Sequence, residues 1–88
     1  MRDDVRDDVL KRLSYIEGHL AGIRKMIEDD RYCVDILKQS YAVRRAIEKI
    51  EALILNGHLH TCVLEGIRGD RQEQVLGELL ELYELANK

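Results

Sequence analysis

The chain contains no proline, phenylalanine or tryptophan, and it has only two cysteines and four tyrosines among its 88 residues. Its hydrophobic content is 45%, so a core must be built mostly from Leu, Ile, Val and Ala, as in helical bundles. No stretch approaches the roughly 18 to 20 consecutive apolar residues that cross a bilayer. The sequence therefore predicts an all-α protein that is soluble.

The N-terminus, Met-Arg-Asp-Asp-Val-Arg-Asp-Asp, lacks the apolar segment of a secreted protein. We expect a cytoplasmic protein whose two cysteines remain free thiols, because a reducing cytoplasm disfavours structural disulfides. A chain of 88 residues has room for one domain, spanning residues 1–88, and such a domain buries only a modest fraction of its surface. Self-association would add to its stability.

Apolar spacing predicts two long helices. The first is expected over about residues 4–29, where the spacings of 4, 3, 4, 3 and 4 form a heptad-like seam. This seam consists of Val9, Leu13, Ile16, Leu20, Ile23 and Ile27. The second is expected from about Tyr32 to the region of Cys62, and its apolar stripe is wide enough to need more than one packing partner. That width favours a dimer.

Two glycine-containing segments are expected to interrupt or connect the helices in the rest of the chain. Asn56-Gly57 is expected to be a tolerated weak point or a kink in the second helix. Residues 66–70 are predicted to form a connection, after which Asp70 and Glu73 resemble the N-cap and N3 residues of a third helix. The predicted architecture is therefore a three-helix subunit.

Charge is distributed unevenly along a chain whose net charge is −3. The acidic balance argues against nucleic-acid binding, but two segments within the predicted helices are basic. These segments contain Lys11, Arg12, Arg24 and Lys25 against Glu17, and Lys38, Arg44, Arg45 and Lys49 against Glu48. A multimer could present a basic face to DNA, and the simpler interpretation is an ordinary solvated helix surface.

Cys33, His58 and Cys62 form the most informative group of side chains. His58 and Cys62 are four residues apart, so on an α-helix an imidazole and a thiolate would project from one face. Cys33 would lie roughly 43 Å from Cys62 along a straight helix, at about 1.5 Å per residue. One chain could not close such a site, and an antiparallel second copy would be needed.

The chemistry of these three side chains indicates which metals they would bind. Two thiolates and an imidazole suit Cu(I) or Zn(II) rather than Mg or Ca. Three ligands favour copper, because structural zinc generally takes four and His60 points away from His58. His60 and His19 are interpreted as surface or boundary histidines. The alternative for each cysteine is an ordinary small core residue.

Catalysis would require a Cys nucleophile with His58 as its base. The sequence shows no third orienting group and no glycine-rich phosphate loop, and a three-helix subunit of this size offers little room for a concave pocket. The protein is therefore not expected to be an enzyme.

The whole chain resembles the copper-sensitive operon repressor (CsoR) family of bacterial metal-sensing repressors. The matching sequence segments are Arg12-Leu13, Ile16-Glu17-Gly18-His19-Leu20, Gly22-Ile23, Glu28-Asp29-Asp30-Arg31-Tyr32-Cys33, Asp35 and His58-x3-Cys62. Copper sensors of this family carry Cys, His and Cys at the ligand positions, as this chain does. The nickel and cobalt branch has His at the last position, the formaldehyde branch lacks the second thiol, and persulfide sensors lack the histidine.

The resemblance implies an antiparallel helical-bundle dimer built from the first two helices, with two dimers forming a flat homotetramer. It implies a trigonal Cu(I) site made by Cys33 of one subunit with His58 and Cys62 of the partner subunit. Tyr32 and Glu78 match positions that support the ligands, and Glu78 would accept a hydrogen bond from the His58 ring.

The resemblance also implies a cytoplasmic repressor that binds operator DNA in the metal-free form and is released by Cu(I), with a copper chaperone as a candidate metal donor. Arg12 and Lys49 match basic positions implicated in operator contact, and Arg44 and Arg45 would extend that face. Two alternatives stay open. One is a repressor of the same family that senses persulfides or electrophiles through its thiols, and the other is a copper-buffering bundle that does not bind DNA.

Overall fold

The computed structural model describes all 88 residues and contains helices but no strand. The helices are α1 (Asp3–Glu28), α2 (Cys33–His58), a π-helical segment (Leu59–Val63), α3 (Leu64–Arg68) and α4 (Gln72–Ala86). The backbone stays helical through both junctions of the π-helical segment, so α2 and this segment correspond to the second predicted helix, and α3 extends it beyond its predicted end near Cys62. The all-α prediction is confirmed, and no helix is long and apolar enough to span a membrane.

The first compact unit, Met1–Leu55, pairs α1 with most of α2. The short connection between them begins with a Schellman motif, in which the N–H of Asp30 donates to the carbonyl of Ile27 (3.2 Å) and that of Arg31 to Met26 (3.0 Å). Asp30 adopts the left-handed conformation, with φ of 53°. This motif satisfies the last carbonyls of α1 and ends the helix close to the predicted position.

The core of this unit consists of four buried side chains, two from each helix. They are Val9, Ile16, Val43 and Ile50. The two residues on each helix are seven apart, about two turns, so each helix presents one narrow buried stripe. Alternate members of the predicted seam, Leu13, Leu20 and Ile27, remain exposed by 37%, 49% and 57%. The pairing of α1 with α2 therefore leaves an adjacent apolar stripe uncovered.

The second compact unit, Asn56–Lys88, contains the contact of α3 with α4. Gly66 of α3 and Val75 of α4 are both buried and lie against each other. The predicted connection at residues 66–70 is wrong at its start, because Gly66 is helical and α3 continues to Arg68. The missing side chain of a glycine favours this close packing, which overrides its low helix propensity.

The start of α4 also differs from the prediction. Asp70 and Glu73 do not form a capping pair, because the helix begins one residue later and its N-cap residue makes no side-chain capping bond. Instead, the side-chain amide of Gln72 donates to the carbonyls of Ile67 and Gly69, at 2.8 Å each. Gln72 thus satisfies carbonyl groups in and just after the last turn of α3, which the backbone alone leaves without partners.

Candidate metal centre and basic face

Cys33 is the first residue of α2, and its thiol is free and exposed. The carbonyl of Tyr32 accepts hydrogen bonds from the N–H groups of Asp35 (3.0 Å) and Ile36 (3.2 Å), so the helix starts at this point of the chain. Tyr32 is exposed by 67%. The side chains of both residues are therefore accessible to a second molecule.

His58 is the last residue of α2, and Cys62 lies in the π-helical segment that follows. His58 is half-buried, whereas Cys62 is exposed and its thiol is free. The helix α2 continues through Asn56 and Gly57, so the Asn-Gly dipeptide is tolerated within a regular helix. The irregular turn begins two residues later, between the two candidate ligands.

Cys33 and His58 occupy opposite ends of α2, about 37 Å apart at about 1.5 Å per residue. They share one face with Ile47 and Ile54, because the successive spacings of 14, 7 and 4 residues are close to whole helical turns. Both isoleucines are exposed, by 41% and 37%. The two candidate ligands therefore lie at the two ends of one uncovered apolar stripe.

The donor set fits a soft metal ion. Two thiols and one imidazole that are accessible to solvent match the preferences of Cu(I), and of Zn(II) as a borderline case. No group of three potential ligands occurs within one chain. A site made from Cys33, His58 and Cys62 thus requires two chains, and this ligand set stays a prediction.

Glu78, predicted to support His58, lies on the exposed surface of α4. Its carboxylate accepts a hydrogen bond from Nε2 of Gln74 at 3.0 Å, one turn earlier on the same helix. Gln74 is therefore a competing partner for the carboxylate. The predicted contact of Glu78 with His58 would replace or extend this bond.

A groove between α1 and α2 contains the predicted DNA-binding residue Arg12. Its lining includes Tyr15 and His19 of α1 and Ala46 of α2. Nε of Arg12 lies 3.0 Å from Oδ1 of Asp8, and both side chains are 43% exposed. A phosphate that binds Arg12 would have to compete with this carboxylate.

His19 links the two helices rather than standing alone on the surface. Its Nε2 is 2.6 Å from Oε1 of Gln39 on α2. An amide oxygen can only accept a hydrogen bond, so Nε2 of His19 carries the proton and donates it. His19 is therefore a boundary histidine with a specific partner, Gln39, which the sequence alone did not indicate.

The basic residues of α2 fall into two groups. Lys38, Arg45 and Lys49 are spaced by 7 and 4 residues and share one face of the helix. Arg44 is about 100° around the helix from Arg45, and its guanidinium lies 5.0 Å from the centre of the Tyr41 ring. The geometry therefore groups Arg45 with Lys49 and directs Arg44 elsewhere, while the DNA-binding role of each residue stays a prediction.

Sequence reasoning missed the π-helical segment and the side chains that contact its preceding turn. Nδ1 of His60 lies 2.9 Å from the carbonyl oxygen of Asn56, and Oγ1 of Thr61 lies 2.9 Å from that of Gly57. A threonine four residues after a glycine is a weak signal of such back-bonding, because this hydrogen bond is common in straight helices as well.

Comparisons with known proteins give consistent matches. The model of a family described as metal-sensitive transcriptional repressor matches residues 5–85. The copper-sensing transcriptional repressor CsoR of Bacillus subtilis (strain 168) is 41% identical over 83 residues, which cover 94% of this chain and 82% of that protein.

Solved structures agree with these matches. The copper-sensing repressor CsoR with Cu(I) from Geobacillus thermodenitrificans NG80-2 is 36% identical to this chain. Its structure superimposes with a TM-score of 0.93, and the match covers 100% of this chain and 92% of that chain. The nickel-responsive transcriptional regulator InrS is also 36% identical. Its TM-score is 0.75, and the match covers 89% of this chain and 88% of that chain.

Proposed function

The chain belongs to the metal-sensitive transcriptional repressor family, and on that basis we propose that it is a Cu(I)-responsive repressor of the cytoplasm. It binds operator DNA in the metal-free form and dissociates on binding Cu(I) at a site between two subunits. Cys33 of one subunit and His58 and Cys62 of the partner subunit form this site. Membership of the family makes the protein a regulator of transcription and not an enzyme.

The observation that carries the proposal is the position of the candidate ligands on α2. Cys33 and His58 lie at opposite ends of the stripe that contains Ile47 and Ile54. If two copies bury this stripe against each other in antiparallel orientation, each Cys33 meets the other copy's His58-containing end. Burial of exposed apolar surface would drive that association, at about 25 cal/mol per Å².

The choice of Cu(I) rests on the third ligand and on the relatives. The family branch that senses nickel has histidine where this chain has Cys62, and a second thiolate favours a soft monovalent ion. The B. subtilis and G. thermodenitrificans relatives are both copper-sensing. When bound, Cu(I) would link two subunits through sulfur and nitrogen, and a copper chaperone is the proposed donor of the metal.

The proposed DNA-binding surface lies on the other side of α2. Arg45 is two residues before Ile47, and about 200° around the helix from it. Arg45, Lys49 and Lys38 therefore face away from the stripe that carries the ligands, and Arg12 of α1 lies in the groove beside α2. Two dimers in a flat tetramer would place several such basic groups along one DNA duplex, which compensates for the acidic net charge of the chain.

Because the two surfaces are distinct, the binding of metal and the binding of DNA must be coupled through a conformational change of the helices. Linkage requires that each ligand weakens the binding of the other by the same factor, and a coupling of about 1–3 kcal/mol is ordinary. We propose that His58 transmits the change through Glu78 to α4. The exposed position of Glu78 leaves its carboxylate free to exchange Gln74 for His58.

The test is an anaerobic Cu(I) titration of the reduced protein, followed by X-ray absorption and by fluorescence anisotropy on the promoter of its own operon. One Cu(I) per subunit, with two sulfurs and one nitrogen in the first shell, and release of DNA at the same stoichiometry would support the proposal. Cys33→Ser and Cys62→Ser proteins should each bind DNA but not respond to Cu(I).

Mixed subunits make the test specific for a site between chains. A dimer of one Cys33→Ser chain and one Cys62→Ser chain has one complete set of ligands, so dissociation and reassociation of the two proteins should restore part of the Cu(I) binding. No restoration would contradict an intersubunit site. DNA release by persulfide, with Cu(I) bound weakly, would instead identify a thiol sensor, and Cu(I) binding without any DNA binding would identify a copper-buffering bundle.

A further inference from the structure

The π-helical segment Leu59–Val63 is a local change of helix type that begins directly after one candidate ligand and contains another. His58 precedes it and Cys62 lies inside it. In a π-helix the hydrogen bonds join residues five apart instead of four, and short π-helical turns within α-helices frequently occur at functional sites. The question is which side chains favour the wider turn here.

Two side chains of the segment bond back to the last turn of α2. Nδ1 of His60 donates to the carbonyl of Asn56, and Oγ1 of Thr61 donates to the carbonyl of Gly57, each at 2.9 Å. In an α-helix these carbonyls would be the acceptors for the backbone N–H groups of residues 60 and 61 themselves. The side chains therefore compete with the backbone N–H donors for these carbonyls, which weakens the regular hydrogen-bond ladder at this point.

The wider turn changes how His58 and Cys62 are directed relative to each other. In an α-helix the fourth residue lies about 40° beyond a full turn. In a π-helix a turn takes more than four residues, so Cys62 would come before a full turn is complete. The hydroxyl of Thr61 also lies 3.6 Å from Sγ of Cys62, within reach of the candidate ligand itself.

From these contacts we propose that His60 and Thr61 are positioning residues, which hold the segment in the π form and thereby set the imidazole–thiolate geometry that the chain offers to its metal. The proposal rests on the proposed Cu(I) function. It gives a role to two residues outside the proposed ligand set. Because a carbonyl can only accept, this contact requires a proton on Nδ1 of His60, which is a separate consequence that can be measured.

The first arm of the test uses the metal-free protein. Nuclear magnetic resonance couplings across the backbone hydrogen bonds should show bonds that span five residues in the wild type. They should shift to bonds that span four residues in the His60→Ala/Thr61→Val protein. Nitrogen chemical shifts should show the proton of His60 on Nδ1. Persistence of the π pattern in the double variant would overturn the proposal.

The second arm measures Cu(I) affinity by competition with a chelator. Residues that orient a metal ligand typically contribute 10- to 100-fold in affinity, so we expect a loss of roughly this size in Thr61→Val, which has the shape of threonine but no hydroxyl. Thr61→Ser should restore the affinity. Ser14→Ala is the matched control, because Oγ of Ser14 makes the same type of bond to the carbonyl of Leu10 at 3.1 Å, within the regular helix α1.

The two arms together separate this proposal from the proposed function. Both quantities are measured on the His60→Ala/Thr61→Val protein, in which loss of the π pattern with unchanged affinity, or loss of affinity with the π pattern intact, would each overturn the positioning role. If the wild-type protein itself fails to bind Cu(I) or DNA, the proposed function fails, and the metal-free arm still decides whether His60 and Thr61 hold the segment. Circular dichroism of the metal-free variants shows whether each one folds.

Discussion

Gly66 of α3 lies directly against Val75 of α4, so closely that a Cβ on residue 66 would overlap the side chain of Val75. Both residues are buried. This contact joins the short helix α3, which begins immediately after the π-helical segment, to α4, which carries Glu78. The helix that is proposed to respond to the metal is therefore anchored by a glycine.

Gly66→Ala should destabilise the protein by about 1–3 kcal/mol, because the added methyl group overpacks a filled contact. Urea unfolding followed by circular dichroism, at one fixed protein concentration, measures the free energy. Gly77→Ala is the control, since nothing lies within 4 Å of its position, and it should stabilise α4 by about 0.5–1 kcal/mol. Addition of Val75→Ala to Gly66→Ala should recover part of the loss, and a neutral Gly66→Ala protein would contradict the overlap.

Asp30 is the only non-glycine residue with positive φ, and it sits at the turn after α1. Asp30→Gly should raise the free energy of unfolding by about 1 kcal/mol, because glycine adopts this conformation without a Cβ clash. Asp30→Asn separates the effect of the lost negative charge near the end of α1. Asp29→Gly, at φ of −88°, should destabilise instead, and equal effects of the two glycines would contradict the turn.

The bounds of α1 and the residues Gly66 and Asp30 show where sequence reasoning succeeded and where it failed. The bounds of α1 were predictable because apolar spacing, an acidic first turn and a cluster of acids at the end all agree. Gly66 was wrongly predicted to lie in a connection, because glycine indicates a turn from local propensity alone. In the structure, its packing against α4 favours a helical conformation. Asp30 carries no clear sequence signal, since aspartate is as common in other turns.

The candidate site was predictable in residue types but not in geometry. The spacing of His58 and Cys62 indicated a shared face on an α-helix, and the structure replaces that α-helix with a π-helical turn. The hydrogen bonds of His60 and Thr61 that accompany this change are individual contacts, which no periodicity in the sequence indicates. In the same way, four basic residues near one another in sequence did not indicate that Arg44 packs over Tyr41.

Glu78→Ala should separate metal binding from DNA release. If Glu78 transmits the change at His58 to α4, the variant should bind Cu(I) with near-normal affinity yet release operator DNA less completely, with the coupling lowered from its wild-type value. Competition with a chelator gives the first quantity, and anisotropy with and without Cu(I) gives the second. Gln74→Ala frees the carboxylate from its present partner and should leave release intact or strengthen it. Equal release by wild type and Glu78→Ala would exclude this route.

Arg45→Ala and Lys49→Ala should each weaken operator binding and reduce the slope of log affinity against log salt by about 0.9 for each subunit whose side chain contacts a phosphate. Cu(I) binding should change little. Arg44→Ala is the matched control, because it removes the same charge from the adjacent position while its guanidinium faces the Tyr41 ring. A larger effect from Arg44 than from Arg45 would place the DNA on the other side of α2.

Asp8 should limit the affinity of the protein for DNA. Its carboxylate lies 3.0 Å from Nε of Arg12, so a phosphate must displace it before Arg12 can bind DNA fully. Asp8→Asn should therefore tighten operator binding in the metal-free protein, and it should steepen the salt dependence, because Arg12 then neutralises a phosphate instead of an aspartate. The measurement is an anisotropy titration at several salt concentrations. Asp7→Asn changes the net charge equally but lies beside Arg6 at 4.0 Å, with 75% exposure. If both variants tighten binding to the same extent, overall charge accounts for the effect and the Asp8–Arg12 pair does not.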